Sequence, residues 1–104
     1  MTTTRPAPGY LIGHITVKHA DAWVAYCAQV PGTLVPWDAS IVFRGEKTAV
    51  FNGSHPQGLT VVIRFPSAAA VAAWHDSPAY QALIPLRDAA ADVVLLGYES
   101  LPTA

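Results

Sequence analysis

The chain has 104 residues, enough for one domain with a modest core and too few for two. Its six basic and seven acidic side chains nearly cancel and form no basic run, so neither a nucleic-acid backbone nor an anionic membrane surface is an expected partner. Hydrophobic residues make up 52% of the chain and charged residues only 12%, more apolar material than a lone small domain readily hides, which predicts that some of it is buried between copies of the chain.

Residues 1–8 read as a flexible tail. They lack the apolar segment of a secretory signal, and no stretch is long and apolar enough to span a bilayer, so a cytoplasmic location is expected. A single domain is expected over 9–100, followed by a short tail at 101–104. Gly9 to Val17 alternates, with Leu11, Ile15 and Val17 on one side and Tyr10, Ile12, His14 and Thr16 on the other, the pattern of a strand with two different faces. From Asp21, a plausible N-cap, to about Leu34 the apolar spacing becomes helical, and Pro31-Gly32 predicts a kink or break. The lone Cys27 excludes an internal disulfide and falls on the stripe of Trp23, Val30 and Leu34, where a thiol serves as a small core hydrophobe.

Ala39 to Gly45 is predicted as a second strand, Glu46 to His55 as an edge or hairpin segment ending in the turn-prone Asn52-Gly53-Ser54-His55-Pro56, and Leu59 to Phe65 as a third strand. Ser67 caps an alanine-rich helix to about His75. Ser77-Pro78 restarts a helix with serine at N-cap and proline at N1, its inward stripe being Tyr80, Leu83, Leu86 or Arg87, and Ala90. Asp92 to Glu99 closes the chain as a fourth strand.

The order strand, helix, strand, strand, helix, strand is the ferredoxin-like split arrangement: an α+β protomer with a four-stranded antiparallel sheet and its helices on one face. Strands such as Leu59 to Phe65 are apolar on both faces, so the face without helices needs a second cover. A twofold contact between identical faces supplies one, predicting a homodimer with a barrel-like core.

Gly9-Tyr10, Val17, Trp23, Tyr26, Phe43-Arg44-Gly45, His55-Pro56, Phe65-Pro66-Ser67, Trp74, Ser77-Pro78-x-Tyr80 and Leu86-Arg87 form an ordered set across almost the whole chain. Together they resemble the domain of unknown function 1330 family, within the dimeric α+β barrel superfamily. The resemblance implies a ferredoxin-like protomer and a dimer. It leaves the chemistry open, because relatives in the superfamily include cofactor-free monooxygenases, polyketide cyclases, muconolactone isomerases and haem-dependent dismutases. Three positions depart from the family pattern: Glu46 where a second glycine is usual, Asp38 where glycine is common, and Arg64 where an acidic residue is common.

Arg44 and Arg64 each follow a strand-like apolar run directly, and a cation withdrawn from water needs a partner. Either Asp38, Glu46 or Glu99 pairs with them, or they face a wet cavity that takes an anionic or carbonyl-bearing small molecule. His14, mid-strand on the polar-bearing face, can exchange protons near neutrality, and a guanidinium can hold a developing oxyanion. These features predict His14 and Arg44 as catalytic residues sharing one enclosed sheet face, with Trp37, Asp38, Arg64, Trp74, Tyr80 and Arg87 as ligand contacts. Packing and ion pairing are the competing roles for each. The tryptophans would wall an aromatic or polyketide-like ligand, and Trp37 with Asp38 would sit at the cavity mouth. His19, His55 and His75 lack metal-ligand spacing, and no phosphate loop, nucleophile elbow or dinucleotide fingerprint occurs, so no metal and no cofactor are expected. The expected function is a cofactor-independent isomerase, cyclase or lyase acting on a carbonyl-containing organic acid or polyketide-like molecule. The alternatives are a non-catalytic dimeric binding protein and a cofactor-free monooxygenase.

Overall fold

The structure, a computed structural model, describes residues 7–102. The expected terminal tails therefore fall largely outside the described residues. At their inner edge the two ends are tied together, because the Ser100 amide donates to the Pro8 carbonyl at 2.9 Å.

Four strands, β1 (Gly9–Val17), β2 (Ser40–Glu46), β3 (Leu59–Phe65) and β4 (Ala91–Glu99), form one antiparallel sheet in the order β2-β3-β1-β4. Helix α1 (Ala20–Leu34) follows β1, and α2 (Ala68–Asp76), α3 (Pro78–Gln81) and α4 (Ile84–Ala90) link β3 to β4. In β1 the residues Gly9, Leu11, Gly13 and Ile15 are buried while the alternate ones are not, so period two assigns the odd positions to the helix-covered face. Leu11 pairs with Ile63 and Gly97, and Ile15 with Leu59 and Val93, which carries the same layer across three strands. Leu34, Phe65, Val71, Trp74, Tyr80 and Leu83 complete the core beneath the helices.

Helix α1 departs from expectation in two ways. Its N-cap is His19, which makes no side-chain cap bond, and Asp21 lies inside the first turn, where a carboxylate favours the helix dipole without capping it. It also runs unbroken through Pro31. A proline inside a helix costs about 3 kcal/mol. Just around it Val30 and Leu34 are buried, and such side chains each contribute roughly 1.5–3 kcal/mol. The Thr33 hydroxyl, which donates to the Val30 carbonyl at 2.7 Å, adds a local bond, and together these outweigh the proline.

The capping serines behave as the sequence predicts. Ser67 Oγ accepts from the Ala70 amide at 3.1 Å and Ser77 Oγ accepts from the Tyr80 amide at 3.4 Å. The helix begun at Ser77 is divided after Gln81, and Pro85 opens the next segment at its first turn. The segment 47–58 is not a paired strand. A single backbone bond from the Lys47 amide to the Gly58 carbonyl extends the β2–β3 ladder before the chain loops out.

The open face of the sheet carries Ile12 between Val62 and Leu96, and Tyr10 between Arg64 and Tyr98. Phe43, Val94, Leu96 and Tyr98 are exposed there. This apolar surface is the one for which a second copy is the expected cover.

Candidate functional site

A cavity of about 310 Å³ lies inside the protomer, between α1 and the helix-covered face of the sheet. Leu11 and Ile15 from β1, Val61 and Ile63 from β3, and Val93 and Leu95 from β4 make its floor. Trp23, Tyr26, Cys27 and Val30, three to four residues apart on α1, make the roof, and Trp74 from α2 closes one wall. The β2 residues Ile41, Arg44 and Glu46 form the rim. The volume is at the small end of the roughly 300–1,000 Å³ usual for organic ligands, and the lining is apolar and aromatic with few polar groups, as such sites require.

Arg44 reaches this cavity because of a β-bulge. The β2–β3 register shifts between Ile41 and Phe43: Ile41 opposes Ile63, Phe43 opposes Val62 and Arg44 opposes Val61. One extra residue in a strand reverses every side chain beyond it. Uninterrupted alternation from Ile41 would send Arg44 to the open face, alongside His14. The bulge sends it to the helix side. The expectation that His14 and Arg44 share an enclosed face is therefore corrected: the two residues lie on opposite sides of the sheet.

Among the described residues no carboxylate lies within 4.0 Å of Arg44; the ion pairs formed are Lys18–Asp92, His75–Asp76 and Arg87–Asp88. The guanidinium instead lies against the Cys27 thiol. Burial pushes that thiol above its ordinary value while Arg44 acts in the opposite direction, and burial prevails, so Cys27 is a neutral wall group. Glu46, two residues further along the same face, is the sole carboxylate in the lining.

Behind the cavity wall runs a polar chain. Tyr26 and Tyr80 share a hydrogen bond between hydroxyls at 2.8 Å, and Arg87 Nη1 donates to the Tyr80 oxygen at 3.1 Å. The Arg87 Nε and Nη2 atoms both donate to Asp88 at 3.1 Å. Trp74 packs on Tyr80 with ring centroids 4.1 Å apart, and its indole N–H donates to Thr33 Oγ1 at 3.0 Å. Burial holds the Tyr26 phenol well above its ordinary value, so it is a neutral hydroxyl at physiological pH.

The remaining predicted site residues are dispersed. His14 is on the open face, its Nδ1 3.2 Å from Thr60 Oγ1 and its ring edge-on to His55 at 4.6 Å; burial first, and then the charge of His55, lower its pKa. Arg64 is on the same face, exposed, opposite Tyr10 and Ser40. Trp37 packs against the core at the end of α1, and Asp38 adopts left-handed backbone (φ 50°) to close the short 3-10 turn Val35–Trp37; neither lines the cavity. Arg44 and Trp74 do line it, and Tyr80 and Arg87 stand behind it through Tyr26. Sequence reading did not assign Tyr26, Cys27 or Glu46 to the site. The helical stripe that carries Trp23, Cys27 and Val30 was the available signal, but a stripe does not reveal that it stands off from the sheet and leaves a hollow.

The strand order β2-β3-β1-β4 with every helix on one face defines a ferredoxin-like α+β protein, here with a cavity between its first helix and the sheet. More narrowly, the chain belongs to the domain of unknown function family DUF1330, whose sequence profile matches residues 8–99. No curated protein matches it. Among solved structures, it is similar to RPA0582, a protein of unknown function from Rhodopseudomonas palustris, with a TM-score of 0.78 and 19% identity over 95% of this chain and 86% of that one. It is also similar to a dimeric ferredoxin-like protein of unknown function from Jannaschia sp. CCS1, with a TM-score of 0.69 and 14% identity over 89% and 99%. SnoaB, a cofactor-independent oxygenase from Streptomyces nogalater, shares the fold with a TM-score of 0.66 and 9% identity over 93% and 96%. Among the described residues, no helix is long and apolar enough to cross a membrane.

Proposed function

We propose that the protein is a homodimer in which each protomer binds a compact, carbonyl-bearing aromatic or polyketide-like molecule between α1 and the sheet and acts on it by cofactor-independent acid/base chemistry. The observation that carries this reading is Arg44: a guanidinium with no carboxylate partner among the described residues, at the rim of a cavity walled by Trp23, Tyr26 and Trp74. Arg44 is solvent-exposed at this rim, and a cation so placed over an apolar, aromatic opening attracts an anionic or polarised oxygen and stabilises it as charge develops. Glu46 on the same rim is positioned to take a proton from the carbon next to that carbonyl. The C–H electron pair then becomes a new C=C bond as the carbonyl π pair moves onto oxygen, giving an enolate that faces Arg44, and return of the proton at another carbon of the conjugated system gives an isomerisation. His14 takes no part in this cavity. The open apolar face, with Ile12, Val62 and Leu96 in register, supports the dimer, as does the fold shared with a dimeric protein.

Two measurements test it. Titration with 2-hydroxy-1,4-naphthoquinone, an enolate at neutral pH, should quench Trp23 and Trp74 fluorescence saturably, and Arg44→Gln should weaken binding roughly tenfold to a hundredfold, the worth of a charge-assisted hydrogen bond. Hydrogen–deuterium exchange at the α-carbons of 2-tetralone, followed by NMR, should be accelerated by the protein and lose that acceleration in Glu46→Gln. Binding of the quinone without any accelerated exchange would leave a non-catalytic carrier. A second reading, oxygenation of a bound phenolate, is favoured by the fold shared with SnoaB and uses the same Arg44-stabilised anion.

A further inference from the structure

The hydroxyl chain behind the cavity has a direction. Tyr80 is 0% exposed, and its oxygen has two partners among the described residues, the Arg87 guanidinium and the Tyr26 hydroxyl. A guanidinium can only donate. If Tyr26 also donated to Tyr80, the Tyr80 proton would have no acceptor and no access to water, the arrangement that folded proteins avoid most consistently. The Tyr80 hydroxyl must therefore donate to Tyr26. That leaves the Tyr26 proton free. Tyr26 is 7% exposed, is stacked on Trp23 at 5.2 Å, and has no second side-chain partner among the described residues; what it does adjoin is the cavity it lines.

We infer that Arg87, Tyr80 and Tyr26 form a polarised hydrogen-bond relay that presents the Tyr26 hydroxyl to the cavity as a fixed donor for a ligand oxygen. The inference rests on the cavity being the ligand site, and it narrows the ligand class. Arg44 at the rim and Tyr26 in the roof are two separate donors for ligand oxygens in a chamber whose lining is otherwise mostly apolar, with Glu46 at its rim. The molecule that satisfies both carries two oxygen functions on one flat apolar frame: a hydroxyquinone, a diketone, or an aromatic keto acid or hydroxy ketone. Each bond in the relay strengthens the next, because a hydroxyl that accepts from a cation becomes a better donor. Burial of the phenol keeps it protonated, as a donor must be. Tyr26 thus contacts the ligand, while Tyr80 and Arg87 are positioning residues.

The probe is again 2-hydroxy-1,4-naphthoquinone, which has oxygens on both edges of a flat frame. Tyr26→Phe should keep the fold and weaken binding about tenfold, the loss expected for one hydrogen bond to an anionic oxygen. The visible band of the bound enolate, shifted in the wild-type complex by the donor, should move back toward its position in water-free apolar solvent. Tyr80→Phe should weaken binding less and shift the band partway, a spectral change that loss of packing alone does not produce. Arg87→Lys should restore most of the band position lost in Arg87→Gln. Wild-type protein that does not bind the probe overturns both the cavity assignment and the relay. Wild-type binding with an unchanged affinity and band in Tyr26→Phe overturns the relay and leaves the cavity assignment standing.

Discussion

Thr33 holds a wall of the cavity in place, and replacing it with valine isolates one buried hydrogen bond. The Trp74 indole N–H donates to Thr33 Oγ1 at 3.0 Å, and Trp74 is 1% exposed, so no solvent can replace the acceptor. Thr33→Val preserves shape, removes the oxygen, and strands a buried N–H, which costs about 1–3 kcal/mol. The buried bond from the Thr33 hydroxyl to the Val30 carbonyl is lost as well and adds to that cost. Each kcal/mol lowers the melting temperature of a domain of this size by roughly 4–8 °C, so a loss near 2 kcal/mol implies a fall of about 8–16 °C. Thr33→Ser keeps the oxygen and removes one methyl group, and should fall by clearly less. Circular dichroism melts at matched protein concentration compare the two, since the stability of the proposed dimer would depend on concentration. A valine variant as stable as the serine variant would refute the claim that this bond fixes the indole.

His14 predicts a pH dependence. Its pKa is held below the ordinary 6.5, so the folded state binds protons less readily than the unfolded one. The stabilisation is present above that ordinary value and lost as pH falls through the lowered one; urea midpoints should decline between about pH 7.5 and about pH 5.5, and less so in His14→Asn. A midpoint equally pH-dependent in both proteins would remove His14 from the account. Gly9 sets the approach of β1 to α2: a Cβ there would overlap the Ser67 carbonyl and the Ala68 amide, backbone atoms that cannot turn aside. Gly9→Ala should destabilise by about 1–3 kcal/mol, and an unchanged melting temperature contradicts that close approach.

The strands were legible because β1 alternates strictly enough for period two to separate its faces and β3 is a short, largely apolar run of β-branched residues, and the caps were legible because Ser67 and Ser77 precede helical runs. The handedness of Arg44 was not. Ile41-Val42-Phe43 is apolar throughout, so inserting a bulge changes no pattern that a reader could count, yet it moves the arginine from one face to the other. The continuity of α1 through Pro31 was hidden for a related reason: local propensity marks the proline, while the burial that outweighs it is a tertiary fact. Tyr80 and Arg87 lie seven residues apart and do meet, although they sit on two helical segments rather than one. Their link to Tyr26, 54 positions from Tyr80, has no sequence signature at all.

The claim on which the functional reading depends is that the ligand enters the space between α1 and the sheet and not the open face. Methyl-labelled protein distinguishes the two, because Ile15, Ile63 and Leu95 line the cavity while Ile12 and Leu96 lie on the opposite side of the same strands. On titration with 2-hydroxy-1,4-naphthoquinone, the methyl resonances of Ile15, Ile63 and Leu95 and the indole signals of Trp23 and Trp74 should shift together, leaving Ile12 and Leu96 in place. Shifts confined to Ile12, Leu96 and their neighbours on the open face would contradict the account.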